Sequence, residues 1–352
     1  MFAAFHTFLL SWALMFVILG VVLKPAVEVI MGPVVSRIVF WMTYIALIGA
    51  KIYLKRKTGM CESRVRVIGK TTIITGADSG IGKETALAMA YRGSKIIMAC
   101  RDVEKANKAR DEIIRRTENK KVEVHHLDLA SLASIRKFAN NIIDTEIKVD
   151  ILINNAGATG LGNKRTADNL HIGMQVNHFG PFLLTCLLAG KMKKSAPSRI
   201  IMVSSYLHHC AKFDIDNLNC EKKLNESQVY FCSKLANIMI ANELAKKLKG
   251  TGVTVNCVHP GLVYTRTWRY LPSKLQPALK YILTMFFKTE FEAAQTSIFA
   301  AIDKDLEDVT GKFFCDCKEI KPSHKALNED LAKKVWEKSA VLVGLKPEEI
   351  DF

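Results

Sequence analysis

Tyr230 and Lys234 lie four residues apart in a stretch, Val229–Lys249, whose pattern reads as helix. Residues at that spacing share one helix face. A nearby ammonium favours phenolate, lowering a tyrosine pKa from about 10 toward neutrality. Such a tyrosine can give a proton to a carbonyl oxygen as hydride arrives, or take it back in the reverse direction. The pair says little by itself, because most Tyr-x3-Lys pairs merely lie on exposed helices. Its company matters more. Ile200–Val203 reads as a strand that delivers Ser204 and Ser205 at its carboxyl end.

A second group binds rather than reacts. Gly76-Ala77-Asp78-Ser79-Gly80-Ile81-Gly82-Lys83 follows the β-branched run Thr71–Thr75 and leads into a helical stretch, Glu84–Arg92. A glycine-rich turn between strand and helix lets backbone N–H groups approach a pyrophosphate at the positive end of the helix. The next strand, Lys95–Ala99, would end in an acid if NAD were bound, because a carboxylate there takes the ribose 2′-OH. Cys100 holds that place and Arg101 follows. A 2′-phosphate wants a cation and no anion, so NADP(H) is the expected cofactor. The plainer alternative makes Arg101 a solvated charge at a helix start, with Asp102 as the cap.

These residues need a scaffold that collects strand ends. Val122–His126 reads as a strand with Asp128 and Leu129 at its end, and a helix begins at Ser131. Val149–Ile153 reads as the fourth strand and runs into Asn154-Asn155-Ala156-Gly157. Strands alternating with helices imply an α/β fold, a doubly wound parallel sheet with ligands at the carboxyl ends of its strands.

Together these features resemble the short-chain dehydrogenase/reductase family. The likeness rests on Gly76-x3-Gly80-Ile81-Gly82, Asn154-Asn155-Ala156-Gly157, Asn177 in Gln-Val-Asn-His, Ser205, Tyr230-Phe-Cys-Ser-Lys234, and Pro260-Gly261 with Thr265. They stand in the family's order between about residues 67 and 317. The resemblance implies a single Rossmann-like domain with Tyr230 as general acid/base. Lys234 would hold the nicotinamide ribose and depress the tyrosine pKa, Ser205 would orient the substrate carbonyl oxygen, and Asn177 would anchor a water in the proton relay. Gly76, Ser79, Gly80, Ile81 and Gly82 would line the pyrophosphate. Arg101, Asp128, Leu129, Asn155, Ala156 and Gly157 complete the expected cofactor surface, and Pro260, Gly261 and Thr265 would meet the nicotinamide end.

A narrower likeness, to the microsomal NADP-dependent retinol dehydrogenases, comes from Ala99-Cys-Arg-Asp, Ser233-Lys-Leu-Ala-Asn, Val258-His-Pro-Gly, Lys288-Thr and Asp316-Cys-Lys. Tyr230 also lies 25 residues past Ser205, a long gap for the family. It implies an endoplasmic reticulum enzyme that interconverts retinal and retinol, or another lipophilic alcohol/carbonyl pair. A steroid, sterol or lipid-aldehyde reductase is the sibling alternative, and a cofactor-binding scaffold without turnover is the alternative from another class. The sequence departs from the likeness at Ala158-Thr159-Gly160, where a hydrophobic pair is expected, and in the length of its apolar amino terminus.

Composition sets the surroundings. The 352 residues are 49% hydrophobic and 24% charged, which excludes disorder, collagen and coiled coil as the main architecture. The net charge of +16 invites nucleic acid, a membrane surface or a phosphorylated ligand. Residues 1–70 carry nine Lys/Arg against only Glu28 and Glu62, beside an apolar terminus, so a membrane explains the excess better. No DNA-binding motif accompanies it.

Phe2–Leu23 has no charged side chain and as helix would rise about 33 Å, enough for the hydrocarbon core. A cleaved signal peptide would want a basic start and a small-residue cleavage site, which are lacking. A retained anchor is expected. Ile38–Leu54, interrupted by Lys51, is a second apolar stretch that either spans or lies at the interface. No further window of membrane-spanning length free of charge is expected. Basic residues from Lys51 to Lys70 should keep the large domain on the cytosolic side.

Nine scattered cysteines without a CxxC pair read as reduced thiols, and Cys315 and Cys317 as one face of a strand. His208, His209 and His259 have no partners at metal spacing and read as loop or core residues. From Leu244 to Thr289 there is no acidic residue, and aromatic and aliphatic side chains gather among Arg and Lys. That is either a core helix with solvated charges or a lipid-facing lid. The expected domains are an anchor and linker at 1–60, a catalytic domain at 67–325 and a helical extension at 326–352. The expected partners are the membrane and a lipophilic small molecule, with a homo-oligomer left open.

Overall fold

Aliphatic and β-branched runs form the middle of the protein because both faces of the central strands are covered. The computed structural model describes residues 24–263 and 287–350. Strands β1 (Thr71–Thr75), β2 (Lys95–Cys100), β3 (Val122–His126), β4 (Ile151–Asn154), β5 (Ser198–Val203), β6 (Val253–His259), β7 (Phe313–Cys315) and β8 (Lys318–Glu319) make one sheet. Their order is β3-β2-β1-β4-β5-β6-β7-β8, parallel up to β7, with β8 antiparallel. The order reverses direction between β1 and β4, which opens a crevice at their carboxyl ends.

Successive residues of a strand face opposite sides. Ile73 accordingly joins the core on one face, with Phe182, Leu235 and Trp336, and Ile74 joins the core on the other, with Met89 and Ile298. The covering helices are α2 (Gly80–Tyr91), α3 (Val103–Thr117), α4 (Leu132–Thr145), α5 (Gly180–Lys194), α6 (Glu226–Lys247), α7 (Glu290–Ile302) and α8 (Glu329–Leu342). Their ends carry strong signals. Thr289 and Glu292 form a reciprocal capping box at α7, with bonds of 2.9 and 3.2 Å. The α8 helix packs on α6, and its Trp336 ring meets Phe182 edge-on at 4.9 Å.

A separate compact unit contains α1, Lys24–Lys57, interrupted at Gly32, where φ is +78° and Pro33 follows. The 26 residues from Gly32 to Lys57 are long and apolar enough to cross a bilayer, about 39 Å at helical rise. The apolar stretch 38–54 is thus part of a longer helix than its own length indicated. Val34, Trp41, Met42 and Ile45 on it are exposed. Phe2–Leu23, Thr265 and half of the acid-free segment 244–289 lie outside the described residues.

Two expectations need correction. Residues 172–190 contain no Asp, Glu, Lys or Arg over membrane-spanning length, but they are almost wholly buried, covered by sheet and helices. Cys315 and Cys317 do not share a strand. Asp316 and Cys317 have φ of +53° and +55°, and the chain folds back so that Cys315 pairs with Lys318. Two consecutive left-handed residues make the tight turn whose twist suits a hairpin.

Candidate active site

The glycine turn is shaped by contacts that leave no room for side chains. Gly76 and Gly80 have φ of +66° and +60°, a region open to glycine. A Cβ at Gly82 would collide with the Gly76 carbonyl and stand 2.5 Å from Asn155 Nδ2. Asn155 donates to the Thr75 carbonyl at 3.0 Å, and the Ala156 N–H donates to Thr75 Oγ1 at 2.9 Å. The β1 and β4 ends are thereby locked together. Ser79 caps α2 without a side-chain bond to its first turn. This closely approached backbone at a helix start fits a dinucleotide pyrophosphate.

At the end of β2, Cys100 is buried and Arg101 is exposed. Burial, reinforced by the Asp78 carboxylate, pushes the Cys100 thiol up to about 12. An acid is therefore present near this strand end after all, supplied by the glycine turn. Lys105 from α3 pairs with that Asp78 carboxylate and donates to Ser79 Oγ at 2.8 Å. Asp128, beyond β3, receives the Ala130 N–H at 2.9 Å, and Leu129 beside it is buried.

The candidate reactive groups meet beyond β4 and β5. Ser205 follows β5, its Oγ accepts the Leu207 N–H at 3.3 Å, and its hydroxyl acts on the Tyr230 phenol. Lys234, one turn along α6, is buried, donates to the Val203 carbonyl at 2.9 Å and holds its ammonium 5.6 Å from the Tyr230 ring centre. Ser204 donates to the Lys234 carbonyl at 2.8 Å, which ties α6 to β5. A Cβ on Gly157 would stand 3.0 Å from Lys234 Nζ and 3.4 Å from Asn177 Oδ1, so these three residues are neighbours.

Asn177 sits in a π-helical turn, Gln175–Phe179. Its amide exchanges two 2.8 Å bonds with the Ala158 backbone, and its carbonyl accepts from Asn237. The side chain thus fastens the loop after Asn-Asn-Ala-Gly.

The electrostatics differ from the simple pairing of phenol and ammonium. Burial pushes the Tyr230 phenol above its ordinary value, and the nearby Ser205 hydroxyl only partly offsets this. Burial also pushes the Lys234 ammonium down to about 8. Both charged forms lose water, so the resting tyrosine is a neutral acid.

Pro260 and Gly261 follow β6. Gly261 has φ of +93°, and the Lys288 side chain runs across it. Lys288 donates to the Pro260 carbonyl at 3.3 Å and pairs with Asp316 at 2.5 Å. Asp316 also receives the Gly59 N–H at 3.1 Å. Lys288 and Asp316 stand in phrases that mark the narrower likeness, yet their contact is not foreshadowed by sequence spacing.

The short chain dehydrogenase family model matches residues 70–276. Human retinol dehydrogenase 13 is 45% identical over 305 residues, covering 85% of this chain and 92% of that protein. Mouse retinol dehydrogenase 11 is 44% identical over 299 residues, covering 85% and 94%. Among solved structures, an uncharacterized protein from Mycobacterium Paratuberculosis superposes with a TM-score of 0.66 at 28% identity, covering 82% of this chain and 98% of that one.

Proposed function

The chain belongs to the short chain dehydrogenase family, an oxidoreductase using a nicotinamide dinucleotide, and we propose that it reduces a lipophilic aldehyde, retinal foremost, with NADPH. The observation that carries this reading is the convergence of Ser205, Tyr230 and Lys234 beside Gly157 and Asn177 at the carboxyl end of the sheet. Gly76, Ser79, Gly80, Ile81, Gly82, Asn155 and Ala156 would hold the cofactor's pyrophosphate side, and Gly157, Lys234, Pro260 and Gly261 its nicotinamide side. When bound, the reduced nicotinamide supplies hydride.

Ser205 holds the substrate carbonyl oxygen by a hydrogen bond. Tyr230, neutral at rest, gives that oxygen its phenolic proton as negative charge develops. The phenolate left behind lies near the Lys234 ammonium, which stabilises it until a proton returns. Arg101 supplies the cation for a 2′-phosphate, and Lys105 masks the opposing Asp78 charge. Cytosolic NADPH is kept mostly reduced, which favours reduction over oxidation.

Support for a bilayer-resident substrate comes from the apolar α1 helix and from the retinol dehydrogenases among the relatives. Each buried methylene gives about 0.8 kcal/mol, so a long polyene gains far more than a short aldehyde. Purified membranes are to be assayed with retinal, short aldehydes and steroid ketones, with NADPH and NADH side by side. We expect the highest kcat/KM for retinal with NADPH. A steroid ketone winning that comparison would end the retinoid reading, and NADH winning would end the cofactor assignment. Protease added outside intact microsomes should digest the domain beyond Gly59, and its full protection would overturn the cytosolic orientation.

A further inference from the structure

Two buried histidines meet the backbone immediately after the reactive serine. The peptide group joining Ser205 to Tyr206 has one carbonyl and one N–H. His208 Nδ1 lies 2.7 Å from that carbonyl oxygen, and the N–H donates to His259 Nδ1 at 3.3 Å. Both imidazoles are buried.

The partners decide the proton positions. A carbonyl only accepts, so His208 Nδ1 carries hydrogen. The Ser323 N–H donates to His208 Nε2 at 3.0 Å, and a backbone N–H only donates, so Nε2 is bare. His208 is therefore neutral and fixed in its Nδ1–H form. His259 must present a bare Nδ1 to the Tyr206 N–H, which makes it a neutral Nε2–H imidazole.

We infer that His208 and His259 clamp the 205–206 peptide from its two sides and are positioning residues for the Ser205 hydroxyl. The inference deepens the proposed carbonyl chemistry and rests on it. A peptide plane held at both ends cannot rotate about the adjoining backbone bonds, so the Cα–Cβ direction of Ser205 is set. His208 comes from the turn after β5, His259 from the end of β6, and Ser323 from the segment before α8. The clamp thus borrows three parts of the chain to aim one side chain. Burial agrees with neutrality, pushing His208 down to about 4 and His259 down to about 3.

The test uses the full-length protein. Asparagine carries its amide where Nδ1 stands, and glutamine carries it where Nε2 stands. His208→Asn and His259→Asn should keep most of kcat. The corresponding Gln variants should lose kcat roughly 10- to 100-fold with KM little changed, the scale of a misplaced reacting group. A merely structural contribution would make Asn and Gln variants fall together with their melting temperatures. That result, or Gln variants with normal kcat, would overturn the clamp. Should the Gln variants not fold, Ser323→Pro serves instead. Ser323 has φ of −63°, which proline accepts, and the change removes the N–H that fixes His208. Its kcat should fall while KM holds, and an unchanged kcat counts against the clamp. Imidazole nitrogen spectra of the labelled wild type are read independently of turnover. They should give an Nδ1–H His208 and an Nε2–H His259 at neutral pH, and any other pair of forms overturns the clamp. A wild type inactive on every carbonyl defeats the functional reading alone, and the spectra still decide the clamp.

Discussion

Tyr230 and Lys234 illustrate how burial can reverse the consequence of proximity. Four residues apart on a helix, they are expected to exchange charge stabilisation, with the tyrosine leaning toward phenolate. In the folded chain Lys234 is buried and Tyr230 half-buried, and the ammonium donates to the Val203 carbonyl with the ring centre 5.6 Å away. The phenol therefore keeps its proton at neutral pH. Tyr230→Phe should lower kcat by about 10² or more while NADPH still binds, because a ring without hydroxyl can pack but cannot protonate. Turnover near wild type, with cofactor affinity followed by NADPH fluorescence, would remove Tyr230 from the reaction. The residue types at this site are legible in the sequence, since each has a chemistry of its own. Partnerships between distant residues are not. Asp78 lies in the glycine turn and Lys105 27 residues on, and only the packing of α3 beside that turn makes them a pair. His208 and His259 likewise read as bland loop and core residues until one peptide group is found between them.

Elements that bind cofactor are specified by what they exclude. The turn from β1 to α2 passes so close beneath Asn155 that Gly82 admits no side chain. Gly82→Ala should force the turn apart, destabilise the domain by roughly 1–3 kcal/mol as overpacking does, and weaken cofactor binding. Thermal melting and cofactor titration check both halves, and a variant that binds and melts like wild type would contradict the packing described. Strand positions here are legible because a parallel strand buried on both faces is nearly uninterrupted apolar sequence. β1 falls where expected on that pattern; the edge strand β3, Val-Glu-Val-His-His, also falls where expected although most of it is half-buried or exposed. β4 begins at Ile151 rather than Val149: the Val149 N–H is diverted to Ser195 Oγ, and Asp150, whose backbone still bonds Thr71 and Arg199, marks the edge of the ladder. The hairpin at Asp316–Cys317 was not legible. Alternating Cys-Asp-Cys has the period of a strand, and what bends it is the bonding of Asp316 to Lys288 and Gly59, far away in sequence.

Over the catalytic domain as a whole, neutral buried histidines give stability a direction in pH. His178, bonded to Asn237 and Ser339 in the core, and His208 are both pushed down to about 4, and His259 to about 3, from an ordinary 6.5. Below 6.5 the unfolded chain takes up protons that the folded chain refuses. Stability is thus fully present above that value and is lost as pH falls toward 4. Asp316, held low mainly by Lys288, adds a loss only below the usual carboxylate range. Urea midpoints should be level from about pH 7 to 8 and drop steadily by about pH 5, and a flat profile across that range would contradict the buried neutral imidazoles. The run from Gly59 to Asp316, Lys288 and the Pro260 carbonyl has a practical bearing on how a water-soluble form is cut. Removing residues up to Thr58 leaves the Gly59 N–H on its carboxylate, whereas a cut a few residues later takes that donor away. The shorter fragment then loosens a lysine that props the loop expected to face the nicotinamide, so two trimmed versions differing only in their first residues would differ in catalysis as well as solubility.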